Sequence, residues 1–285
     1  MEIQQEMGEM GEEENSMNKE LKEGYNPFNL NKENPLEGID LNTICYFDTE
    51  TTGLLPSSAQ IVEIAAVRGD EQFYEKIELT QETKELIQQQ AHSFERKNAY
   101  DKSIDDLLQM TNYYDEKAKT TAAEEEALQK FKQFAESSSF LLAHNASFDM
   151  KMVNVRMKRY GIQSIKKDIP VLDSLAFSRR FFIPLLRSQE EEGSQEAKQL
   201  LDQLTTKYTK NNERRTVVSN LGTLSKALFG QIDNWHQALA DVMSTKKIVE
   251  EVFALLMSKE KDQTKTPSFK KFYMKNKRAE NRFRS

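Results

Sequence analysis

The chain has 285 residues, enough for one large domain or two small ones. Hydrophobic residues make up 38% and charged residues 30%, the balance of an ordinary core diluted by polar tails and insertions. A formal net charge of −6 argues against a broadly basic nucleic-acid coat protein, and no run approaches the ~20 apolar residues of a membrane span.

The charge is unevenly spread. Residues 1–24 hold eight Glu against two Lys, whereas residues 261–285 hold nine Lys or Arg against one Asp and one Glu. The stretch between them is acidic, as an acidic metal pocket touching a few nucleotides would be. The single cysteine, Cys45, excludes an internal disulfide and a multi-Cys zinc site. It stands in an apolar run and reads as a small buried hydrophobe. The first residues lack an apolar h-region, so no secretory signal is expected. An intracellular, reducing compartment, in cytoplasm, nucleoid or nucleus, is the resulting expectation.

Residues 1–40 are acidic and without sustained period, the pattern of a mostly disordered tail. Within it Tyr25, Phe28, Leu30 and Leu36, around Pro27 and Pro35, could lie across the domain surface in extended form. Order is expected from Ile44-Cys45-Tyr46-Phe47, a short strand entering Asp48. Thr51–Pro56 turns the chain, with Gly53 supplying backbone freedom. A second strand, Ile61–Val67, passes through a turn at Arg68–Glu71 into a third, Gln72–Leu79. These three form an antiparallel meander. Residues 81–137 read as helical and polar. Phe140–Ala143 is a buried strand that delivers His144, and residues 150–160 form a helix with Met150, Val153 and Met157 on one face. Pro170–Leu172 is another strand, and Ser174–Phe182 the next helix. Residues 188–217 read as a polar insertion with one helical piece over Ala197–Tyr208. Asn220–Phe229 is a short helix closed by Gly230. The last core helix spans Trp235–Met257, with Leu239, Val242, Met243, Val249, Val252, Phe253 and Leu256 at helical spacing. Strands separated by helices imply parallel pairings after the meander. The fold class is therefore α/β, a mixed sheet flanked by helices. It forms one domain over 41–258, followed by a basic, aromatic-containing tail at 259–285.

Three segments carry chemistry. In Phe47-Asp48-Thr49-Glu50-Thr51-Thr52-Gly53-Leu54, residues i and i+2 of a strand share a face, so Asp48 and Glu50 project side by side. Two such carboxylates repel unless neutralised. A divalent cation is the natural neutraliser, and oxygen-only ligands suit Mg2+ or Mn2+. Alone, an Asp-x-Glu is more often a solvated strand end. In His144-Asn145-Ala146-Ser147-Phe148-Asp149, a buried strand ends and a helix begins. Asp149 sits where an acid could simply cap the helix, and His144 and Asn145 suggest a pocket rim. In His236-Gln237-Ala238-Leu239-Ala240-Asp241, the two polar ends are five apart, about 140° around a helix. His236 could swing over the site that Asp241 reaches; a surface histidine is the plainer reading of that spacing alone.

Order and flanking residues together resemble the DEDDh 3′–5′ exonucleases. Asp48, Glu50, Asp149, His236 and Asp241 stand in that family's sequence order. Phe-Asp-Thr-Glu-Thr-Thr-Gly-Leu resembles its first motif, His144–Asp149 its second, His-Asn-x-x-Phe-Asp, and His236–Asp241 its third, His-x-Ala-x-x-Asp. Ile61–Val67, Leu172–Ala176 and Asn220–Leu224 are similar to weaker family segments. The resemblance covers about residues 42–256 and is nearer the proofreading epsilon-subunit type than the oligoribonuclease type. It departs in two places: no His-Gly-Ile segment occurs around Ala91–Tyr100, where His92 is a poor substitute, and the 188–217 link is longer than usual.

What the resemblance implies is specific. The fold would be ribonuclease H-like. The reaction would be hydrolysis of a terminal phosphodiester from a free 3′ end, releasing nucleoside 5′-monophosphates. Two divalent cations, Mg2+ or Mn2+, would be held by Asp48, Glu50, Asp149 and Asp241. His236 would be the general base, a role its unperturbed pKa of ~6.5 suits. Thr51, Thr52, Gly53, Leu54, Asn145 and Phe148 would contact the terminal nucleotide; for Leu54 and Phe148 core packing is the competing reading, and Glu63 could be a structural acid or a substrate contact. DNA is favoured over RNA as the polymer. An RNA 3′-end-trimming enzyme with the same five residues is one alternative. A silent module that binds a polymerase or a nucleic-acid end is another. In the tail, Thr266-Pro267-Ser268-Phe269-Lys270-Lys271-Phe272-Tyr273 interleaves aromatics and basics. It could be a nucleic-acid arm, a peptide for a sliding clamp or DNA polymerase, or a solvated tail; Thr266 stands where a clamp peptide carries Gln.

Overall fold

A computed structural model of the chain describes residues 40–93, 102–111, 113–114, 122–208, 215–230 and 237–253. The two tails, the side chains of Ala91–Tyr100, and Trp235, His236 and Leu256 lie outside the described residues. The apolar, β-branched and aromatic run at 44–47 opens strand β1 (Ile44–Thr51). β1 pairs antiparallel with β2 (Ile61–Arg68), and β2 with β3 (Glu71–Lys76), which is the expected meander. Gly69 makes the β2–β3 turn at φ 55°, a conformation that favours glycine. β3 stops at Lys76 rather than Leu79: Ile77 N–H still donates to Val62 O at 2.8 Å, but Ile77 also bridges in parallel to Ala122 as the chain leaves the meander. On the other side of β1, β4 (Phe140–Ala143) and β5 (Val171–Asp173) add in parallel. The order β3-β2-β1-β4-β5 makes β1 the central strand.

Helices α1 (Gln81–Ser93), α2 (Ile104–Met110) and α3 (Glu124–Glu136) fill much of the polar 81–137 stretch. Helix α4 (Ala146–Arg159) starts earlier than residue 150, because Asn145 turns the chain at once with φ 77°. Asparagine tolerates that left-handed conformation better than most residues. Helix α5 (Ser174–Phe177) runs through a π turn at Ser178–Phe182 into α6 (Ile183–Glu191). Helix α7 (Gln195–Leu204) follows, then a hairpin of β6 (Thr205–Tyr208) and β7 (Arg215–Val217). The helix expected through Tyr208 therefore ends at Leu204, where β-branched Thr205 and Thr206 favour a strand. Within the polar 188–217 stretch, Ala197, Leu201 and Leu204 are buried in the main core. Helix α8 (Leu221–Phe229) begins at Asn220, whose Oδ1 accepts from Thr223 N–H at 2.9 Å, and ends at Gly230 with φ 93°. Helix α9 (Ala238–Ile248) continues as a π turn, Val249–Phe253. Val242, Val249 and Val252 are buried as expected, but Met243 is 50% exposed. Adjacent helical residues are about 100° apart, so Val242 and Met243 cannot both face the sheet.

Alternation along β1 defines two faces. Ile44 and Tyr46 point toward α6–α9, whereas Cys45 and Phe47 point toward α3 and α4. Cys45 is fully buried, and burial pushes its thiol up to about 12, so it acts as a hydrophobe. On the same face the buried Arg156 pairs with Glu124. Glu124 also accepts from Ile61 N–H at 3.1 Å and from the Tyr160 hydroxyl at 2.8 Å, tying α3, α4 and β2 together. Among the described residues no helix is long and apolar enough to cross a membrane.

Candidate active site

Asp48 and Glu50 continue the face of β1 that Ile44 and Tyr46 begin, and helix α9 lies over that face. Asp241 sits in the first turn of α9. One carboxylate oxygen from each of Asp48, Glu50 and Asp241 lies within 4.8 Å of the others, and all three residues are half-buried. The β1–β2 pairing slips between Glu50 and Thr51. Such a bulge re-aims the strand end beside the cluster.

Asp149 arrives from the opposite side, on helix α4, and is buried. Its Oδ1 accepts from the Thr49 hydroxyl at 2.7 Å and from Thr49 N–H at 3.1 Å. The structure thus gathers three of the four expected acids into one tight group and braces the fourth against the strand between two of them. The electrostatics follow. Burial raises Asp48 well above the usual carboxylate range, and Asp149, Glu50, Asp241 and Glu63 raise it further. Glu50 is pushed up to about 8 by burial and then by Asp241, Glu63 and Asp149. Burial lifts Asp241 to about 7. Asp149 also stands at about 7, because burial outweighs its Thr49 hydrogen bonds. The neighbours that shift Asp48 and Glu50 are other carboxylates. A hard divalent cation would relieve that repulsion, and an all-oxygen donor set suits Mg2+ or Mn2+.

The other expected site residues fall into distinct environments. Thr51 Oγ1 donates to Gly53 O at 2.8 Å. Thr52 is buried and holds the 52–60 loop closed: its N–H donates to Gln60 O, and its Oγ1 accepts from Gln60 N–H, both at 2.9 Å. Gly53 does not need glycine's conformational freedom. Its φ is not among the positive ones, and an added Cβ would meet only Ala59 Cβ, at 3.7 Å. Leu54 is 80% exposed and Leu55 66%, so core packing does not account for Leu54. Phe148 is half-buried against the α3–α4 face. Asn145 is exposed, and its backbone N–H donates to Asp173 Oδ1 at 3.1 Å.

His144 is not an open pocket-rim group. Its Nε2 lies 2.9 Å from Ser219 O and its Nδ1 2.9 Å from Ser174 Oγ. A carbonyl can only accept, so Nε2 carries the proton and the Ser174 hydroxyl donates to Nδ1. Burial lowers the pKa to about 4, so the ring is neutral near pH 7. Sequence reading did not single out Thr49 or Asp173, and left Glu63 open between a structural acid and a substrate contact. Thr49 was hidden between the two acids. Asp173 accepts from Asn145, Leu175 and Ala176 N–H groups, and its signal was an acid between an apolar strand and a helix. Glu63 Oε2 accepts from Ala238 N–H at 3.3 Å.

Comparison with known proteins finds relatives for the region that holds this cluster. The DNA polymerase III PolC-type of Halalkalibacterium halodurans is 31% identical over 143 residues, 50% of this chain and 9% of that protein. The PolC-type enzyme of Ureaplasma parvum is 29% identical over 146 residues, 50% of this chain and 9% of that protein. The chain thus corresponds to under a tenth of these relatives. A solved structure of E. coli exonuclease I with a dA16 oligonucleotide is similar at a TM-score of 0.49 and 16% identity, over 80% of this chain and 42% of that one. The Exonuclease family profile matches residues 45–249, from the first residues of β1 to the end of α9. With its sheet, its carboxylate cluster and most of its length inside that match, the chain belongs to the Exonuclease family.

Proposed function

We propose that residues 41–258 form a 3′–5′ exonuclease domain that removes nucleoside 5′-monophosphates from the 3′ end of DNA. The observation that carries this reading is the convergence of Asp48, Glu50 and Asp241, with Asp149 alongside Asp48. Asp48, Glu50, Asp149 and Asp241 would hold two divalent cations, Mg2+ or Mn2+. Bound there, the cations would stabilise charge on the attacking and leaving oxygens of the phosphodiester. His236, two residues before α9, accepts the proton of the attacking water. Leu54, exposed beside the cluster's strand, offers an apolar surface to the terminal base. Thr51, Gly53, Asn145 and Phe148 would contact the same terminal nucleotide, and Thr52 holds the 52–60 loop closed. DNA is favoured over RNA because the relatives are named as DNA polymerases, and their setting also favours an intracellular enzyme. The 262–285 segment is the proposed contact for a sliding clamp or polymerase.

Labelled single-stranded DNA, duplex DNA and RNA are incubated with the chain in Mg2+ and in chelator. Stepwise shortening from the 3′ end, fastest on DNA and lost in chelator, is the expected result. Shortening of RNA alone would transfer the activity to RNA trimming. Asp149→Asn should abolish cleavage while the fold survives; robust metal-dependent digestion by that variant would remove the assignment.

A further inference from the structure

Glu63 is 3% exposed and lies opposite Glu50 in the β1–β2 register. It is not one of the three acids whose oxygens converge. A buried carboxylate costs several kcal/mol unless it is paired and hydrogen-bonded, so its partners reveal its job. Three are present. Lys76, its register partner on β3, supplies opposite charge and is itself 1% exposed, 4.9 Å over the Tyr113 ring. The Tyr74 hydroxyl hydrogen-bonds to it from the same strand as Lys76. The third partner is remote in sequence: Ala238 N–H, the first residue of α9, donates to Glu63 Oε2 at 3.3 Å.

That third bond replaces a missing local one. Gln237, the residue before α9, makes no side-chain capping hydrogen bond. A helix start leaves its first N–H groups without intrahelical partners, and a carboxylate there also offsets the helix dipole. Glu63 supplies both from the neighbouring strand. Ala238 is one helical turn before Asp241. We propose that Glu63 is a positioning residue: through Ala238 N–H it fixes where α9 begins, and so holds Asp241 against Asp48 and Glu50. The proposal rests on the exonuclease reading of that cluster. Glu63 touches neither substrate nor cation in this account; it acts on the third acid through the helix.

The test measures Mn2+ binding by electron paramagnetic resonance, with kcat and KM on a single-stranded oligonucleotide, on the full chain. Removing Glu63 alone would leave the buried Lys76 with less opposite charge beside it, so Glu63→Ala is paired with Lys76→Met, and Glu63→Gln keeps an accepting oxygen. Changes to groups that orient metal ligands cost about 10–100-fold in affinity or activity. That loss in Mn2+ affinity is expected for the double variant, with KM unchanged and the circular dichroism spectrum retained. Glu63→Gln should stay within about threefold of the native chain, because its carbonyl oxygen can still accept from Ala238. Native Mn2+ affinity in the double variant overturns the proposal. So does a raised KM with intact Mn2+ binding, which would make Glu63 a substrate contact. Failure of the native chain to bind Mn2+ would instead remove the exonuclease reading beneath it.

Discussion

Replacing Glu50, one of the clustered acids, should make the metal-free protein more stable, not less. Glu50 sits among carboxylates, and its pKa rises from 4.5 to about 8. The folded chain therefore holds that proton more tightly than the unfolded chain. The stability this group contributes is complete below about pH 4.5 and is lost as pH rises through about 8. Each tenfold change in proton affinity is worth about 1.4 kcal/mol. Ionised Glu50 thus costs on the order of 5 kcal/mol at alkaline pH, and Asp241 and Asp149, lifted to about 7, carry penalties of the same origin. The burial and repulsion are shared among them, so the penalties do not add. A neutral amide at Glu50 should recover about half of one, roughly 2 kcal/mol. For a domain of this size that is a rise of about 4–8 °C in Tm. The assay is thermal unfolding of the native chain and Glu50→Gln in chelator, from pH 5.5 to 8.5. Glu50→Gln should gain on the native chain as pH rises. Mg2+ at ~100 times its dissociation constant should stabilise the native chain by about 2.7 kcal/mol at pH 8 and by less at pH 5.5, where protons compete. A native Tm in chelator unaffected by Glu50→Gln at pH 8.5, or a Mg2+ effect equal at both pH values, would refute the electrostatic reasoning.

Other outcomes follow from named contacts. His236→Ala should lose most turnover yet bind Mn2+ as the native chain does; calorimetry showing lost metal binding would make His236 a ligand. Arg156→Met leaves the buried Glu124 carboxylate without its cation, at a cost of about 3–5 kcal/mol in urea unfolding. Its specific activity per folded molecule should fall less than that of Asp149→Asn, since Arg156 lies about two helical turns beyond Asp149 on α4. Trimming residues 262–285 should leave cleavage of short oligonucleotides unchanged and reduce processivity on long strands with a clamp present. Unchanged processivity would leave the tail a solvated segment.

Much of the site was legible because it obeys local rules. The twofold period of a strand put Asp48 and Glu50 on one face, and the Asn220–Gly230 caps bounded α8. What sequence could not show is how the remote pieces meet. Asp149 approaches from the opposite face of the sheet to Asp241, a distinction invisible in a motif. His144 looked available until Ser174 and Ser219, from two other segments, took both ring nitrogens. The helix through Ser174 ran on to Glu191 because a π turn at Ser178–Phe182 shifts its phase. A strict 3.6-residue period does not anticipate that shift. The link between Glu63 and Ala238 spans 175 positions, and no spacing rule reaches that far.

The central position of β1 has a consequence for how the molecule breathes. It is paired to β4 over Ile44–Tyr46 and to β2 from Tyr46 to Thr51, so both of its edges are covered only around Tyr46. Backbone opening free energies grow toward the global value in such strands. Amide hydrogens at Cys45 and Tyr46 should therefore be among the last to exchange in deuterated water, while those of the β6–β7 hairpin exchange early. The two acids on β1 lie two and four residues past that doubly paired point, anchored to β2 alone, so they stay near the stable centre of the sheet while keeping one strand edge open toward the site.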